Sequence, residues 1–293
     1  VALLIMVILN PLVTRLSKFR VPRAVSILLV YVSFIVLIIS TYAGILPPLI
    51  DQTASFASGL PKYLENLQGI PFFGEQVAKE VLSQIGSFPG QIVKFIFSIF
   101  SNVFSVITVL FFAFYLLLTR DKLPSQLSLI LSKSKVKEAM KVIEILESKL
   151  GGWVRGQIVL MALVGIFTYM GLRILGMPFA FPLAILSALL EAVPYIGPFL
   201  AAIPGVVIGF GTSSILGWTT VALYFLIQQI ENYIFVPKIM EKSVGMNPIV
   251  VLLAFSIGFK IAGIVGVLIS IPVVLALQVI TREFFLKEKL QIS

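Results

Sequence analysis

The chain alternates long uncharged apolar stretches with short blocks that hold most of its charges. Four stretches, at about 24–46, 92–118, 156–175 and 215–235, are near the roughly 20 residues that a straight helix needs to cross a bilayer. A fifth stretch, at 1–13, is shorter, and we expect it to be the end of a span that begins before residue 1. The pattern predicts an all-α, polytopic transmembrane protein in contact with the lipid bilayer.

The apolar stretch at 178–211 is too long for one crossing and is interrupted midway. As one helix its 34 residues would measure about 50 Å, against a hydrocarbon core of about 30 Å. As two helices, at about 181–193 and 199–211, each half would measure about 20 Å and fall short of the core. We therefore predict a re-entrant helical hairpin that packs inside protein or lines a wet cavity. The interrupting residues are Pro194, Gly197, Pro198, Pro204 and Gly205.

The stretch at 248–281 has the same character. An apolar run at 249–259 meets Lys260 and Gly263 before a second run begins at 264. Because such an interruption breaks a helix, we predict a second hairpin or sharply broken helix here.

A short internal repeat relates the two interrupted stretches. The letters IPGVV at 203–207 are similar to IPVV at 271–274. One predicted span separates the stretches, so the two broken elements would open to opposite faces of the membrane. Inverted broken helices that meet near the midplane are typical of secondary transporters.

Basic residues orient the predicted spans. Cytoplasmic loops of membrane proteins carry an excess of Lys and Arg, which places residues 120–155, with eight basic and four acidic side chains, in the cytoplasm. Residues 49–90 carry a net charge of −2 and are expected outside, as amphipathic helices near the membrane surface. The first cytoplasmic loop carries four basic residues and no acidic one: Arg15, Lys18, Arg20 and Arg23.

Three parts follow from this layout. Residues 1–119 are predicted to form a scaffold, 120–151 a cytoplasmic amphipathic linker helix, and 152–285 a transport core. The linker has an apolar stripe at helical spacing, which predicts either a helix lying on the membrane or on the protein, or a docking site for a regulator. The stripe consists of Val136, Met140, Ile143, Leu146 and Leu150.

Composition narrows the chemistry. Hydrophobic residues make up 59% of the chain and charged residues 12%, against about 25% charged in a typical soluble domain. The absence of cysteine and histidine excludes disulfides, Cys/His metal sites and thiol or histidine catalysis. The net charge of +9 is expected in basic cytoplasmic loops, so we predict no nucleic-acid partner. No phosphate-binding loop is present, and the two aspartates, Asp51 and Asp121, lie at span boundaries. We expect no enzyme activity and no cofactor.

Glu191 is a candidate ion-binding residue, because it precedes the turn at Pro194. Burying a charge in a membrane costs roughly 3 kcal/mol or more, so such residues usually face a cavity or a partner. One interpretation is a carboxylate that binds a proton or sodium beside the hairpin tip, where broken helices leave backbone groups free. The other is an ion pair with a cation such as Arg155 or Lys260.

A second polar group lies near the end of the span at 215–235. Gln228, Gln229, Glu231 and Asn232 occupy five consecutive positions with Ile230. Their spacing of three and four predicts that Gln228, Glu231 and Asn232 share one helix face. The interpretations are a contact between helices or a face that binds solute or ion. Lys260 could act as a counter-ion for either Glu or extend to the membrane surface.

Several segments resemble one family of bacterial membrane proteins. The resemblance covers nearly the whole chain and is to the AI-2E family of transporters. The segments are PYIGPFLAAIPGVV at 194–207, QQIENYIFVPKIM at 228–240, the turn Gly245-Met246-Asn247-Pro248, IAGIVGVLISIPV at 261–273, Leu9-Asn10-Pro11-Leu12-Val13, and Arg155-Gly156-Gln157.

This resemblance implies a multi-pass protein of the bacterial inner membrane that forms homo-oligomers. It implies a secondary transporter, for which export of the quorum-sensing signal autoinducer-2 and sodium/proton antiport are the activities assigned within the family. The hairpin tip and the 228–232 segment would form the functional core, with Glu191 and Glu231 titrating or binding a cation. We predict export of a small polar solute, with a sodium/proton antiporter and a non-transporting membrane scaffold as the alternatives. The residues expected to bind solute or ion are Glu191, Pro194, Tyr195, Gly197, Pro198, Gln228, Gln229, Glu231, Asn232 and Lys260, with Arg155 and Gln157 in supporting or pairing roles.

Overall fold

The computed structural model describes residues 1–67, 103–240 and 247–285, and every regular element in these ranges is helical. The all-α prediction is therefore confirmed. Four helices in the described ranges are long and apolar enough to cross a membrane, although the fourth is folded back on itself, as described below. They lie at Arg23–Gln52, Phe104–Leu127, Lys133–Ile174 and Ile249–Glu283.

The α-helices are numbered here in chain order within the described ranges. They are α1 (Ala2–Ser17), α2 (Arg23–Leu67), α3 (Val103–Thr119), α4 (Leu123–Leu127), α5 (Lys133–Ile174), α6 (Ala180–Leu190), α7 (Ile196–Thr212), α8 (Ser214–Ile230), α9 (Val236–Met240) and α10 (Pro248–Ile280). A 3₁₀ turn lies at Arg120–Lys122, and π-helical turns lie at Glu231–Phe235 and Thr281–Phe285.

The chain divides into two compact units. Within the described residues, the first unit contains Val1–Val36, Phe104–Gly156 and the chain from Met240 onward, and the second contains Leu37–Val103 and Gln157–Ile239. Each unit contains one of the two interrupted stretches.

In the second unit, the interrupted stretch forms two short helices, α6 and α7, as predicted. Ala180 and Leu183, at the start of α6, belong to the same buried cluster as Val207 and Ile208 near the end of α7. The two helices therefore run antiparallel, and residues 191–195 form the turn between them. The break comes slightly earlier than expected, because α6 ends at Leu190.

In the first unit, α10 is folded back on itself. Its backbone leaves helical geometry at Ala262 (φ −143°, ψ 23°) and at Gly263 (φ 58°, ψ −140°). Beyond the break, the hydroxyl of Ser270 donates a hydrogen bond of 2.9 Å to the carbonyl oxygen of Ala254. In a straight helix these two residues would lie about 24 Å apart, so α10 is a helical hairpin whose tip lies at 262–263, close to the predicted break.

Two glycines allow the arms of α10 to touch. A Cβ on Gly266 would lie 1.9 Å from the carbonyl oxygen of Gly258, so the two backbones are in direct contact. Small residues at such positions let helices in membranes approach closely. At the tip, the positive φ of Gly263 is a conformation that glycine adopts without steric cost.

Pro47-Pro48 follows the predicted span at 24–46 and would be expected to end its helix, but the helix does not end there. Helix α2 continues through both prolines to Leu67. An apolar helix over 24–46 already covers the hydrocarbon core, so the carbonyls that lose their amide partners at the prolines would lie near water, which can bind them. Of the predicted external segment, 68–90 lies outside the described residues, as do 92–102 of the next span.

The predicted linker helix and the span at 156–175 form one continuous helix, α5. The predicted stripe on its first half is partly or fully buried, whereas Lys141 and Glu144 are exposed. Helix α5 does not break at Gly151-Gly152, where a boundary was expected. Gly151 is tightly packed: a Cβ there would lie 2.9 Å from Cγ1 of Val7.

Candidate functional site

Two carboxyl groups meet in the second unit. Glu191 is 1% exposed and begins the turn after α6, while Glu231 is 5% exposed and follows α8. Their carboxyl groups lie close enough to interact directly. The two acidic residues that the sequence singled out are therefore neighbours, although they are 40 positions apart in the chain.

Gln157 on α5 fixes the start of the turn. Its side-chain amide donates a hydrogen bond of 2.6 Å to the backbone carbonyl of Glu191, and both residues are buried. The end of a helix leaves carbonyl groups without intrahelical partners. Gln157 satisfies one of them, and it holds α6 against α5 at the level of the carboxyl pair.

A π-helical turn at Glu231–Phe235 follows α8 directly. Such turns are rare and frequently occur at functional sites. The extra residue per turn changes the expected register: Glu231 is buried, whereas Asn232 is exposed. Gln228 and Glu231 share one face as predicted, but Asn232 does not share it.

A small cavity adjoins Glu231. Its volume of about 20 Å³ is bounded by polar and apolar side chains from α5, α6, α7 and α8, and by Glu231. A cavity of about 10–15 Å³ is enough for one water molecule, so this space has room for one water or one bare cation but not for an organic solute. The lining residues are Val164, Thr168, Ser187, Pro198, Ala201, Tyr224, Ile227, Gln228 and Glu231.

Several buried oxygen atoms around the cavity lack a hydrogen-bond partner within the described protein. They are Oγ1 of Thr168, the hydroxyl of Tyr224, and Oε2 of both Glu191 and Glu231. Leaving a buried polar group unsatisfied costs about 1–3 kcal/mol. Among the ion pairs of the described residues, none includes either glutamate. The site is thus rich in oxygen acceptors and has no cation from the described chain within it.

The turn at 191–195 has strained backbone geometry. Tyr195 has φ 68° and ψ −48°, and the amide of Ile196 donates a 2.9 Å hydrogen bond to the carbonyl of Pro194. This is a γ-turn with positive φ, a rare and strained conformation for a residue with a side chain. Two residues on, Gly197 is obligatory, because a Cβ there would lie 1.8 Å from the carbonyl oxygen of Leu190. Strain of this kind clusters at functional sites.

The remaining predicted residues lie in different surroundings. Pro198 lines the cavity, Pro194 is half-buried and Tyr195 is 55% exposed at the turn. Gln229 is half-buried and does not line the cavity. Lys260 and Arg155 belong to the other unit, where both are exposed, and Arg155 lines a different cavity. The Gly245-Met246 part of the predicted turn lies outside the described residues.

Three polar lining residues were not predicted: Thr168, Ser187 and Tyr224. Their spacing carried a signal, since Ser187 lies four positions before Glu191 and Tyr224 four before Gln228. Residues three or four apart share a helix face. A search for hydroxyls one turn from the acidic and amide residues would have found Ser187 and Tyr224.

Apolar helices long enough to span a membrane and two folded-back helical hairpins define a polytopic α-helical membrane protein. The sequence profile of the AI-2E family transporters matches residues 1–285, and the chain belongs to this family. The family resemblance inferred from the motifs is thereby confirmed.

Individual relatives match over nearly the whole chain. YueF of Bacillus subtilis (strain 168) is 27% identical, with 95% of this chain and 80% of YueF covered. YrrI of the same organism is 25% identical, with 97% and 85% covered. The AI-2 transport protein TqsA of Escherichia coli (strain K12) is 25% identical, with 96% of this chain and 84% of TqsA covered. These matches support membrane transport as the function.

Proposed function

We propose that this protein is a secondary transporter that exports a small polar solute of the autoinducer-2 type, driven by a proton or sodium gradient. The printed name of one relative, the AI-2 transport protein TqsA, supports the solute class. The observation that carries the coupling is the buried pair Glu191–Glu231, which has no cation partner in the described residues. We also expect the protein to lie in the inner membrane, to form homo-oligomers and to catalyse no chemical reaction.

The carboxyl pair gives a physical basis for coupling. Two buried carboxylates in contact repel each other, and a proton or sodium ion between them removes this repulsion. Binding and release of the ion would therefore change the stability of the contact between the turn after α6 and the end of α8. A ligand shifts a conformational equilibrium only through such a difference in affinity between two states.

The α6–α7 hairpin is the element that would move. The cavity of about 20 Å³ is too small for an organic solute, so solute binding requires that the packing around Pro198 opens. The strained turn at Tyr195 stores free energy that a different backbone conformation would release. In the open state, Gln228 and free backbone groups of the hairpin turn would hydrogen-bond the solute.

A sodium/proton antiporter is the second candidate, and the size and chemistry of the cavity favour it. Its lining offers only oxygen atoms and one amide as polar groups: Thr168, Ser187, Tyr224, Gln228 and Glu231. Oxygen ligands suit hard cations, and the space fits one ion. In this case the cation is the cargo and no organic solute is carried.

Transport by the purified full-length protein in proteoliposomes separates these candidates. The exporter predicts uptake of a labelled furanone-type solute into inside-out vesicles, driven by an imposed proton or sodium gradient. The antiporter predicts pH-dependent sodium flux that needs no solute. If neither flux exceeds that of protein-free liposomes, and polar-to-apolar changes at Gln228 and Glu231 have no consequence in cells, the non-transporting scaffold is correct instead.

A further inference from the structure

The first unit contains a second and larger cavity, which the proposed transport site does not use. It has a volume of about 240 Å³ and lies between α1 and the first half of α5. The carboxyl pair and the α6–α7 hairpin belong to the other unit. The lining residues that matter here are Val7, Pro11, Glu144, Glu147, Ser148 and Arg155.

Its charges are of both signs and lie along one face of α5. Glu144, Ser148, Gly151 and Arg155 are spaced by four, three and four residues, so they follow one another along the helix surface. Glu147 is already paired, since its Oε1 accepts a hydrogen bond of 2.5 Å from Nε of Arg120 in an ion pair. Among the ion pairs of the described residues, none includes Glu144 or Arg155, which leaves one negative and one positive group for a ligand.

Proline in α1 adds a backbone acceptor. Pro11 has no amide hydrogen, so the carbonyl of Val7, four residues earlier, cannot accept the usual helical hydrogen bond from it. Both residues line the cavity. A Cβ placed on Gly151 would lie 3.0 Å from the Val7 carbonyl oxygen and 2.8 Å from Nη1 of Arg155. An acceptor and a guanidinium therefore stand within about 6 Å of each other.

We propose that this cavity binds a zwitterionic ligand that carries a primary ammonium group and a phosphate. The guanidinium of Arg155 binds the phosphate, since guanidinium groups match the geometry of phosphate oxygens. The ammonium donates its three hydrogen bonds to the Val7 carbonyl, Glu144 and Ser148. Gly151 lets Val7 and the Arg155 side chain lie close against α5, because a Cβ there would come within 3.0 Å of both.

This ligand chemistry occurs in the headgroup of phosphatidylethanolamine and in free phosphoethanolamine. A choline headgroup has the same charges but its quaternary nitrogen has no N–H to donate. The choline form of each molecule is therefore the matched control for the ethanolamine form. Comparing soluble with lipid forms distinguishes a free metabolite from a lipid headgroup.

The test uses the purified full-length protein. Soluble phosphoethanolamine and phosphocholine are titrated in detergent while thermal unfolding is followed, and retained lipid is counted by native mass spectrometry from nanodiscs that contain equal amounts of phosphatidylethanolamine and phosphatidylcholine. The expected result is a preference for ethanolamine over choline in at least one arm. A preference in the soluble arm assigns a free metabolite, and a preference in the lipid arm alone assigns the headgroup.

Variants link the preference to the cavity. Arg155→Gln and Glu144→Gln are each expected to reduce it about tenfold, which corresponds to about 1.4 kcal/mol, while Lys137→Gln and Glu138→Gln, at exposed positions of the same helix, leave it unchanged. The proposal is overturned if ethanolamine and choline forms bind alike in both arms, or if the Arg155 and Glu144 variants behave as their controls do. Transport assays are not part of this readout, so its failure is distinct from failure of the proposed export function.

Discussion

At the residue scale, the candidate site depends on a few contacts that leave no room for substitution. Gly197 allows the start of α7 to touch the end of α6, and Gln157 ties α5 to the carbonyl of Glu191. Neither residue carries charge or chemistry of its own. Both act by fixing the position of Glu191 relative to Glu231.

Substituting Gly197 tests the close approach at the hairpin turn. In Gly197→Ala the new methyl would lie 1.8 Å from the backbone oxygen of Leu190, so the turn must open. We expect a loss of about 2–4 kcal/mol in unfolding free energy, in the range of severe packing defects. Gly44→Ala is the matched control, since a Cβ there meets nothing within 4 Å, and a helical Gly→Ala change stabilises by roughly 0.5–1 kcal/mol. Equal thermal unfolding midpoints for the two variants in detergent would contradict the described turn.

Removing the Gln157 amide tests its hydrogen bond to Glu191. Gln157→Leu leaves a buried carbonyl without its donor, and the expected cost is about 1–3 kcal/mol in stability. Gln278→Leu, at an exposed position of α10, is the control and should have no such cost. If chemical denaturation shows the same stability for both variants, Gln157 does not anchor the turn.

The sequence predicted the acidic residues at this scale but not their surroundings. A carboxylate in an apolar stretch is visible because its burial is costly, and this identified Glu191 and Glu231. Thr168 and Ser187 were missed because hydroxyls are common in membrane helices, where they can hydrogen-bond backbone carbonyls. The prediction that Asn232 shares the face of Glu231 was wrong, because a π-helical turn depends on packing and not on residue spacing.

At the element scale, the two helical hairpins are the main structural result. Prolines and glycines in long apolar stretches predicted both breaks within a few residues. The continuation of α2 through Pro47-Pro48 was not predicted, because proline removes the same backbone hydrogen bond whether the helix breaks or continues. A helix folds back only where its two arms can pack against each other. In α10 the arms pack at Gly258 and Gly266.

Cysteine pairing tests the α10 hairpin directly, because the chain has no native cysteine. In the variant with Ala254→Cys and Ser270→Cys, the side chain of residue 270 lies near the 254 backbone, where Ser270 now bonds at 2.9 Å. We expect mild oxidation to remove both free thiols from maleimide labelling, measured by intact mass. In a straight helix the sites would be about 24 Å apart, beyond the 7 Å limit for Cα atoms in a disulfide. In each single-cysteine variant, which cannot form the disulfide, the thiol should stay reactive. If both thiols of the double variant also stay reactive, α10 is a straight helix.

The strain at Tyr195 gives a second test at this scale. Tyr195→Gly removes the steric cost of the positive φ, and we expect a gain of about 1 kcal/mol relative to Tyr195→Ala, which keeps a Cβ but also lacks the ring. Thermal unfolding of the two variants measures this difference. If the strained turn also takes part in opening, the glycine variant will carry solute at an altered rate. An alanine variant as stable as the glycine variant would show that the turn is not strained.

At the scale of the whole molecule, membership of a transporter family and a buried carboxyl pair lead to one account. In the proposed mechanism, the pair would bind the ion whose gradient drives transport, and the adjoining hairpin would open to admit the solute. The account requires that each carboxyl be needed and that the two act as a unit. Residues that act as a unit lose their effect together, so removing the second costs little once the first is gone.

The most direct test is ion-driven transport by Glu191→Gln, Glu231→Gln and the double variant in proteoliposomes, with Arg173→Gln, at an exposed position of α5, as the control. If the pair binds the coupling ion, each single variant loses at least about tenfold in gradient-driven flux, the double variant is no worse than either, and the control equals the wild-type protein. Wild-type flux in both single variants, at equal amounts of folded protein, would contradict this account.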